Sequence, residues 1–398
     1  MTHINRRTLL TGAAALAATS GFGRVAFANA PTNKRFVVVI LRGALDGLTA
    51  LAPIGDPAYA SLRGDLALEA GGDRPALNLD AMFALHPDLP GLKTAFDEGQ
   101  LAAFHAVAIP VRERSHFEAQ AILETGLGRA GGRDGWLNRA LTALNWQDGA
   151  RAVAFSPAMP LILQGAAPAT SFTPSSLPQG TEDYMARVTA LYAGDTVLGP
   201  ALAQGLSVQM MAGEDHAGSM GGQGQRQANM VPIAEIAGRM LARADGPRIA
   251  VLEAYGWDTH VQQGAADGQL GRRLANLDAA LSALRRELGT AWNDTVITIV
   301  TEFGRTARPN GSNGTDHGTA TAAFLLGGAV KGGMVTADWP GLADRNLFEN
   351  RDLAPTRDVR SVLKGALAGH LGMDPGLLDR DVFPDSTTAP ALDGVIRA

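Results

Sequence analysis

Residues 36–41 read FVVVIL, an unbroken apolar run in which four of the six residues are β-branched. A strand with one wet face alternates apolar and polar residues. An uninterrupted run needs cover on both faces, as in a central strand of a parallel sheet packed between helices. Similar runs recur in LAAFHAVAIP (101–110), RIAVLEAYG (248–256), TVITIV (295–300) and TAAFLLGGAV (321–330), with shorter strand candidates at RAVAFSP (151–157) and LILQG (161–165). Helical patterns lie between them. Ser115 with Glu118 three residues on reads as a capping box, starting a helix that runs to about Glu124 and stops at Gly126. A second helix is expected from about Pro232 to Ala244, and residues 269–288 keep helical spacing throughout. Alternating strands and helices make the fold class α/β, a three-layer α/β/α sandwich with a largely parallel central sheet.

The first 30 residues read differently. Arg6-Arg7 precede Thr8-Leu9-Leu10, an alanine-rich apolar stretch follows, and Ala28-Asn29-Ala30 has the pattern of a cleavage site. This is the layout of a twin-arginine signal peptide over 1–30, leaving 31–398 as a single domain. Its apolar stretch is too short to span a bilayer well, and no later run is long and apolar enough for a transmembrane helix. The expected partner during export is the twin-arginine translocase, and the expected location is periplasmic or secreted. The absence of cysteine suits a protein that folds before it crosses the membrane. A net charge of −5 excludes an extended nucleic-acid surface.

Polar residues collect after the expected strands: Asp46 in GALDGL, Ser115-His116, Asp258-Thr259-His260 in YGWDTH, and Glu302, Arg305, Asp316 and His317 in the loop TEFGRTARPNGSNGTDHG (301–318). Ligands of open α/β sheets sit outside the carboxyl ends of the strands, so segments distant in sequence can converge there. Asp258 and His260 flank one residue and share a side in an extended segment. A carboxylate and an imidazole so placed can ligate a divalent cation, or simply bond to each other. Asp316-His317 is a second such pair, with glycines on either side allowing close backbone approach. Asp46 before Gly47 also reads as a turn residue, and Ser115 as no more than a cap. A helix N-terminus nevertheless favours a developing alkoxide, which suits a serine nucleophile. Arg305 or Arg114 has the donor geometry to clamp phosphate oxygens. Of the other histidines, His86 ends a loop or lines a pocket, His105 is packed in a strand, His216 lies in a mobile-looking loop (211–232) and His370 is structural.

The motifs LRGALDGLTALAP, RSHFEAQAILETG, YGWDTH, TEFGRT and GTDHG, in this order, resemble those of the DUF1501 family of exported bacterial proteins, over nearly the whole chain beyond residue 30. That family is similar to the alkaline phosphatase and sulfatase superfamily. The resemblance implies an alkaline-phosphatase-like fold, Asp46 as a metal ligand and Ser115 as nucleophile beside His116. It also implies that Asp258, His260, Asp316 and His317 are further ligands, with Glu302 able to join them. The implied cofactor is a divalent metal (zinc, magnesium, calcium or manganese), and the implied activity is hydrolysis of a small anionic phosphate or sulfate ester, with Ser115 or a metal-bound water as the nucleophile. Where the active superfamily enzymes usually carry Asp-His after the strand equivalent to TVITIV, this chain has Glu302-Phe303. The alternative is therefore a non-catalytic periplasmic binding or assembly protein on a degenerate hydrolase fold. A formylglycine sulfatase is disfavoured, because the chain has no cysteine and SHFE lacks the Pro and Arg of that motif. A nucleotide-binding oxidoreductase is disfavoured, because GSMGGQG (218–224) follows no strand.

Overall fold

The computed structural model describes residues 32–146, 152–174, 182–196, 198–212 and 229–398. The expected signal at 1–30, and His216 with most of its loop, lie outside the described residues.

The strands are β1 (Arg35–Arg42), β2 (Leu51–Ala52), β3 (Leu77–Asn78), β4 (Ala84–Leu85), β5 (Leu101–Ala108), β6 (Ala152–Phe155), β7 (Thr170–Ser171), β8 (Ile249–Tyr255), β9 (Thr295–Thr301), β10 (Thr321–Leu326), β11 (Met334–Thr336) and β12 (Arg357–Asp358). Among the described residues β2, β4 and β3 form a small side sheet, and the others form one large sheet in the order β11-β5-β10-β9-β1-β8-β6-β7, with β12 also on β5. Its neighbours pair in parallel except at β10, which is antiparallel to both β5 and β9. β1 lies in the middle, with Val38 beside Val251 of β8 and Thr298 of β9.

The run 36–41 does what its composition demands. Val37, Val39 and Leu41 pack on one face with Ile236 and Met240 of the helix Val231–Ala242 and Leu274, Leu277 and Leu281 of the helix Gln269–Leu288. Phe36, Val38 and Ile40 pack on the other with Ile122 of the helix His116–Thr125, Trp136 and Leu137 of the helix Trp136–Leu144, and Val362 and Leu367 of the helix Val359–Leu371. Each such side chain contributes about 1.5–3 kcal/mol relative to exposure. The result is the α/β/α sandwich with a mostly parallel sheet. His105 is fully buried in β5, its Nε2 2.9 Å from the Leu51 carbonyl. His370 is buried with its Nε2 2.9 Å from the Arg35 carbonyl. His86 closes a loop, Nε2 2.9 Å from the Ala265 carbonyl.

Two local expectations are corrected. Leu161–Leu163 form a 3-10 turn rather than a strand. Their polar groups are met by side chains: Ile162 N–H donates to Glu124 Oε2 (3.0 Å), and Asn138 Nδ2 donates to the Leu163 carbonyl (2.8 Å). The capping box at Ser115 is not made either. Ser115 is the N-cap, but its side chain makes no cap bond, and its N–H goes to Glu113 Oε1 (2.7 Å) rather than to Glu118. Among the described residues no helix is long and apolar enough to cross a membrane.

Candidate metal centre

β1, β8 and β9 are parallel neighbours, so the loops that follow them emerge at one rim. Gly43, directly after β1, has φ +118°, and a Cβ there would stand 2.7 Å from the Asp258 backbone nitrogen. Only glycine lets these two loops pass so closely. The loops after β8 and β9 are stitched by backbone bonds: Thr315 N to the Thr259 carbonyl (3.1 Å), Gln262 N to Ser312 (3.0 Å) and Gln263 N to Asn313 (2.9 Å). The helix His116–Thr125 brings its first residue to the same rim.

Asp258 is the hub. Its Oδ1 lies 3.0 Å from His260 Nε2 and 3.2 Å from His317 Nε2, and accepts from Arg305 Nη1 at 2.5 Å. Its Oδ2 is 3.5 Å from His116 Nε2. The ligand atoms of His116, Asp258 and His317 all lie within 4.8 Å of one another, and His260 Nε2 is 3.0 Å from His317 Nε2.

The far nitrogen of each imidazole has an acceptor. His116 Nδ1 is 2.8 Å from Glu302 Oε1, His317 Nδ1 is 2.8 Å from the Arg114 carbonyl, and His260 Nδ1 is 3.1 Å from Asp316 Oδ1. A carbonyl or carboxylate oxygen can only accept, so each Nδ1 carries the proton. All three Nε2 lone pairs then converge on Asp258. Histidines that bind metals are oriented in this way, the outer N–H given to a carboxylate or carbonyl. Among the described residues, His116 Nε2 is buried without a hydrogen-bond partner. Its ring stacks on Phe303, centroids 4.9 Å apart, and Phe303 is itself buried.

The charges act differently on each group. The hydrogen bond to Glu302 is the main cause that raises the His116 pKa. Burial lowers that of His317. Burial opposes ionisation of Asp258, but the Arg305 guanidinium, with His260 and His317, outweighs it and holds the carboxyl below its usual range. Glu302 is wholly buried, yet His116, Gln120 and the Gly43 N–H outweigh burial and keep it below the usual carboxylate range.

The sequence-predicted residues divide into groups. Asp258, His260 and His317 meet, joined by His116. Glu302 and Asp316 stand behind His116 and His260 as acceptors of their outer N–H groups. Glu302 Oε1 also accepts from Gly43 N (2.8 Å) and Gln120 Nε2 (3.0 Å). Asp46 is not brought into the cluster. Its oxygens are taken by Leu48 N (3.1 Å), Thr49 Oγ1 (2.9 Å), Gln263 Nε2 (2.6 Å) and the buried Arg63 guanidinium. Arg305 is fully buried between Asp258 and Thr315, so it orients Asp258 rather than facing a ligand. Arg114 is paired with Asp352 and Glu349. Ser115, half-buried, adjoins His116 with its hydroxyl free of cap duty. Gln120 was legible as the residue one helical turn after His116; nothing in the sequence marks Gln263.

A cleft of about 450 Å³ opens beside the cluster and shares His116 and Asp258 with it. Its far wall holds Arg42, Glu124, Glu253 and Tyr255. Arg42 donates to Glu253 (2.8 Å) and Glu124 (2.6 Å). Burial and Glu253 push the Tyr255 hydroxyl up to about 12.

A comparison with curated proteins found no match. Among solved structures, the chain is similar to the C-terminal periplasmic domain of EcEptC from Escherichia coli in complex with Zn (10% identity, 74% of this chain and 73% of that one, TM-score 0.33). It is also similar to the phosphonate monoester hydrolase of Agrobacterium radiobacter (12%, 86% and 74%, TM-score 0.34) and to the PsFucS1 sulfatase from Pseudoalteromonas sp. (13%, 76% and 66%, TM-score 0.29). The family described as "Protein of unknown function (DUF1501)" matches residues 100–381, more than half of the chain. The protein is therefore a member of the DUF1501 family.

Proposed function

We propose that the protein is a metal-dependent hydrolase of phosphate or sulfate esters, with one divalent cation held by His116, Asp258 and His317 and with His260 beside them. The observation that carries this reading is the convergence of three imidazole Nε2 atoms on one carboxylate, each ring oriented from behind and one Nε2 buried without a partner among the described residues. A set of imidazoles and one carboxylate suits zinc better than magnesium or calcium, which prefer all-oxygen shells. A cation bound there supplies a Lewis acid for an ester oxygen and acidifies a water molecule. The chain's own groups do the rest. Arg305 keeps Asp258 ionised and aimed, Glu302 fixes the ring of His116, and the cleft receives the body of the substrate. Ser115, beside His116 at a helix N-terminus, is the nucleophile this reading favours. The ester class comes from the resemblance in sequence. Arg6-Arg7 and Ala28-Asn29-Ala30 support export through the twin-arginine translocase, with residues 31–398 acting outside the cytoplasm as one domain.

Phe303 favours a second reading. Buried against His116 and His317, it fills space where a further ligand would stand, which fits a protein that binds metal and ligand without turnover. Elemental analysis of the purified protein with a screen of phosphate and sulfate esters separates the readings. Stoichiometric zinc and turnover, both lost in His317→Ala, are expected. Metal without turnover on any ester supports the binding protein, and absence of metal after zinc loading overturns both.

A further inference from the structure

Asp46, although outside the cluster, is connected to it. Asp46, Arg63, Gln263 and Thr315 are all fully buried. Arg63 can only donate and the Asp46 carboxylate can only accept, so Gln263 must turn its NH2 to Asp46 Oδ2 (2.6 Å). That leaves Gln263 Oε1 to accept from the hydroxyls of Thr259 and Thr315, each at 2.7 Å. Thr315, having given its proton to Gln263, accepts from Arg305 Nε at 3.1 Å. Arg305 Nη1 in turn holds Asp258 Oδ1 at 2.5 Å. Every donor and acceptor along the line is fixed by its neighbour. The line joins the loops after β1, β8 and β9.

We infer that Gln263 and Thr315 are positioning residues for the metal centre, transmitting the fixed orientation of the Arg63–Asp46 pair through Arg305 to the Asp258 carboxylate. This role rests on the reading that Asp258 holds a cation. It also accounts for the GALDGL motif, whose Asp is the anchor of the line and not a ligand. Neither Glu nor Leu can replace Gln263: a carboxylate has no donor for Asp46, and an alkyl group takes one donor from Asp46 and leaves the hydroxyl protons of Thr259 and Thr315 without their acceptor.

The test uses the full chain, stripped with a chelator and titrated with Co(II), reading affinity and the visible d–d bands, with melting temperature as a control. Thr315→Val keeps the shape and deletes the hydroxyl. It should weaken Co(II) binding about tenfold, the low end for groups that orient metal ligands, and change the visible spectrum, while Thr315→Ser behaves as wild type. If Thr315→Val does not fold, Gln263→Met is read by the same criteria. A folded variant with wild-type affinity and spectrum overturns the positioning role, and so does a Thr315→Ser as impaired as Thr315→Val. A wild-type chain that shows no Co(II) bands overturns the metal centre itself, and the positioning role with it.

Discussion

Replacing Glu302 by Gln isolates the contribution of one buried charge to the centre. The amide keeps the shape, and its Oε1 can still accept from Gly43 N, His116 Nδ1 and Gln120 Nε2 at the present 2.8, 2.8 and 3.0 Å. Its new NH2 faces Thr301 Oγ1, now 2.9 Å from Oε2, which can accept while donating to the Leu41 carbonyl. The variant should fold. What changes is the charge behind His116. A hydrogen bond to a charged partner contributes about 1.5–3 kcal/mol and a neutral one about 0.5–1.5 kcal/mol. The difference of roughly 1–1.5 kcal/mol corresponds to about tenfold in affinity. Loss of an outer-shell carboxylate typically costs about 10–100-fold in metal binding. Zinc affinity, measured by competition with a chelator, should therefore fall by about 10–100-fold. The His116 pKa, followed by NMR, should fall, because Glu302 is the main cause of its rise. The acid limb of stability should change as well. Because the folded pKa of Glu302 is depressed, its stabilisation is present above the unfolded value and is lost as pH falls through the folded value; in the variant that loss disappears. A folded Glu302→Gln protein with wild-type zinc affinity and an unshifted His116 would refute the argument.

Three further outcomes are expected. Burial lowers His105 and His370 from an ordinary 6.5 to about 4, so the unfolded chain takes up protons first as pH falls. Each should cost roughly 3 kcal/mol between pH 6.5 and 4, and a melting temperature that stays flat from pH 7 to pH 4 would contradict this. Phe303→Ala removes a buried ring stacked on His116 and should cost about 3–5 kcal/mol in denaturant unfolding; a loss below about 1 kcal/mol would show that the site collapses around the gap. Gly43→Ala puts a methyl group 2.7 Å from Asp258 N at φ +118° and should abolish Co(II) binding even where the chain still folds; intact binding would show that the β1 loop can shift without disturbing Asp258.

The layers were legible because β1, β5, β8, β9 and β10 are apolar on both faces, and burial on both sides writes itself into composition. LILQG misled because a short apolar run fits a buried turn as well as a strand. What settles it is that Glu124 and Asn138, remote in sequence, meet its backbone groups. At the rim, the residue types pointed to a cation, and the strand-end rule pointed to the place. The ranking of the acids could not be read. Asp258, Asp46, Glu302 and Asp316 are alike as letters; they differ in which neighbours claim their oxygens. For Asp46 it is Arg63 and Gln263 that decide, and they lie in segments whose spacing carries no chemical pattern.

The order of strands has a consequence for biosynthesis. Phe36 of β1 takes Ile249 and Val296 as its lateral neighbours. While the ribosome is translating the middle of the message, β1 therefore has a bare ladder on each side and no native segment to cover it. A nascent chain in this condition carries unpaired backbone groups along β1, and one that terminates before Thr295 keeps the flank that β9 would cover open for good.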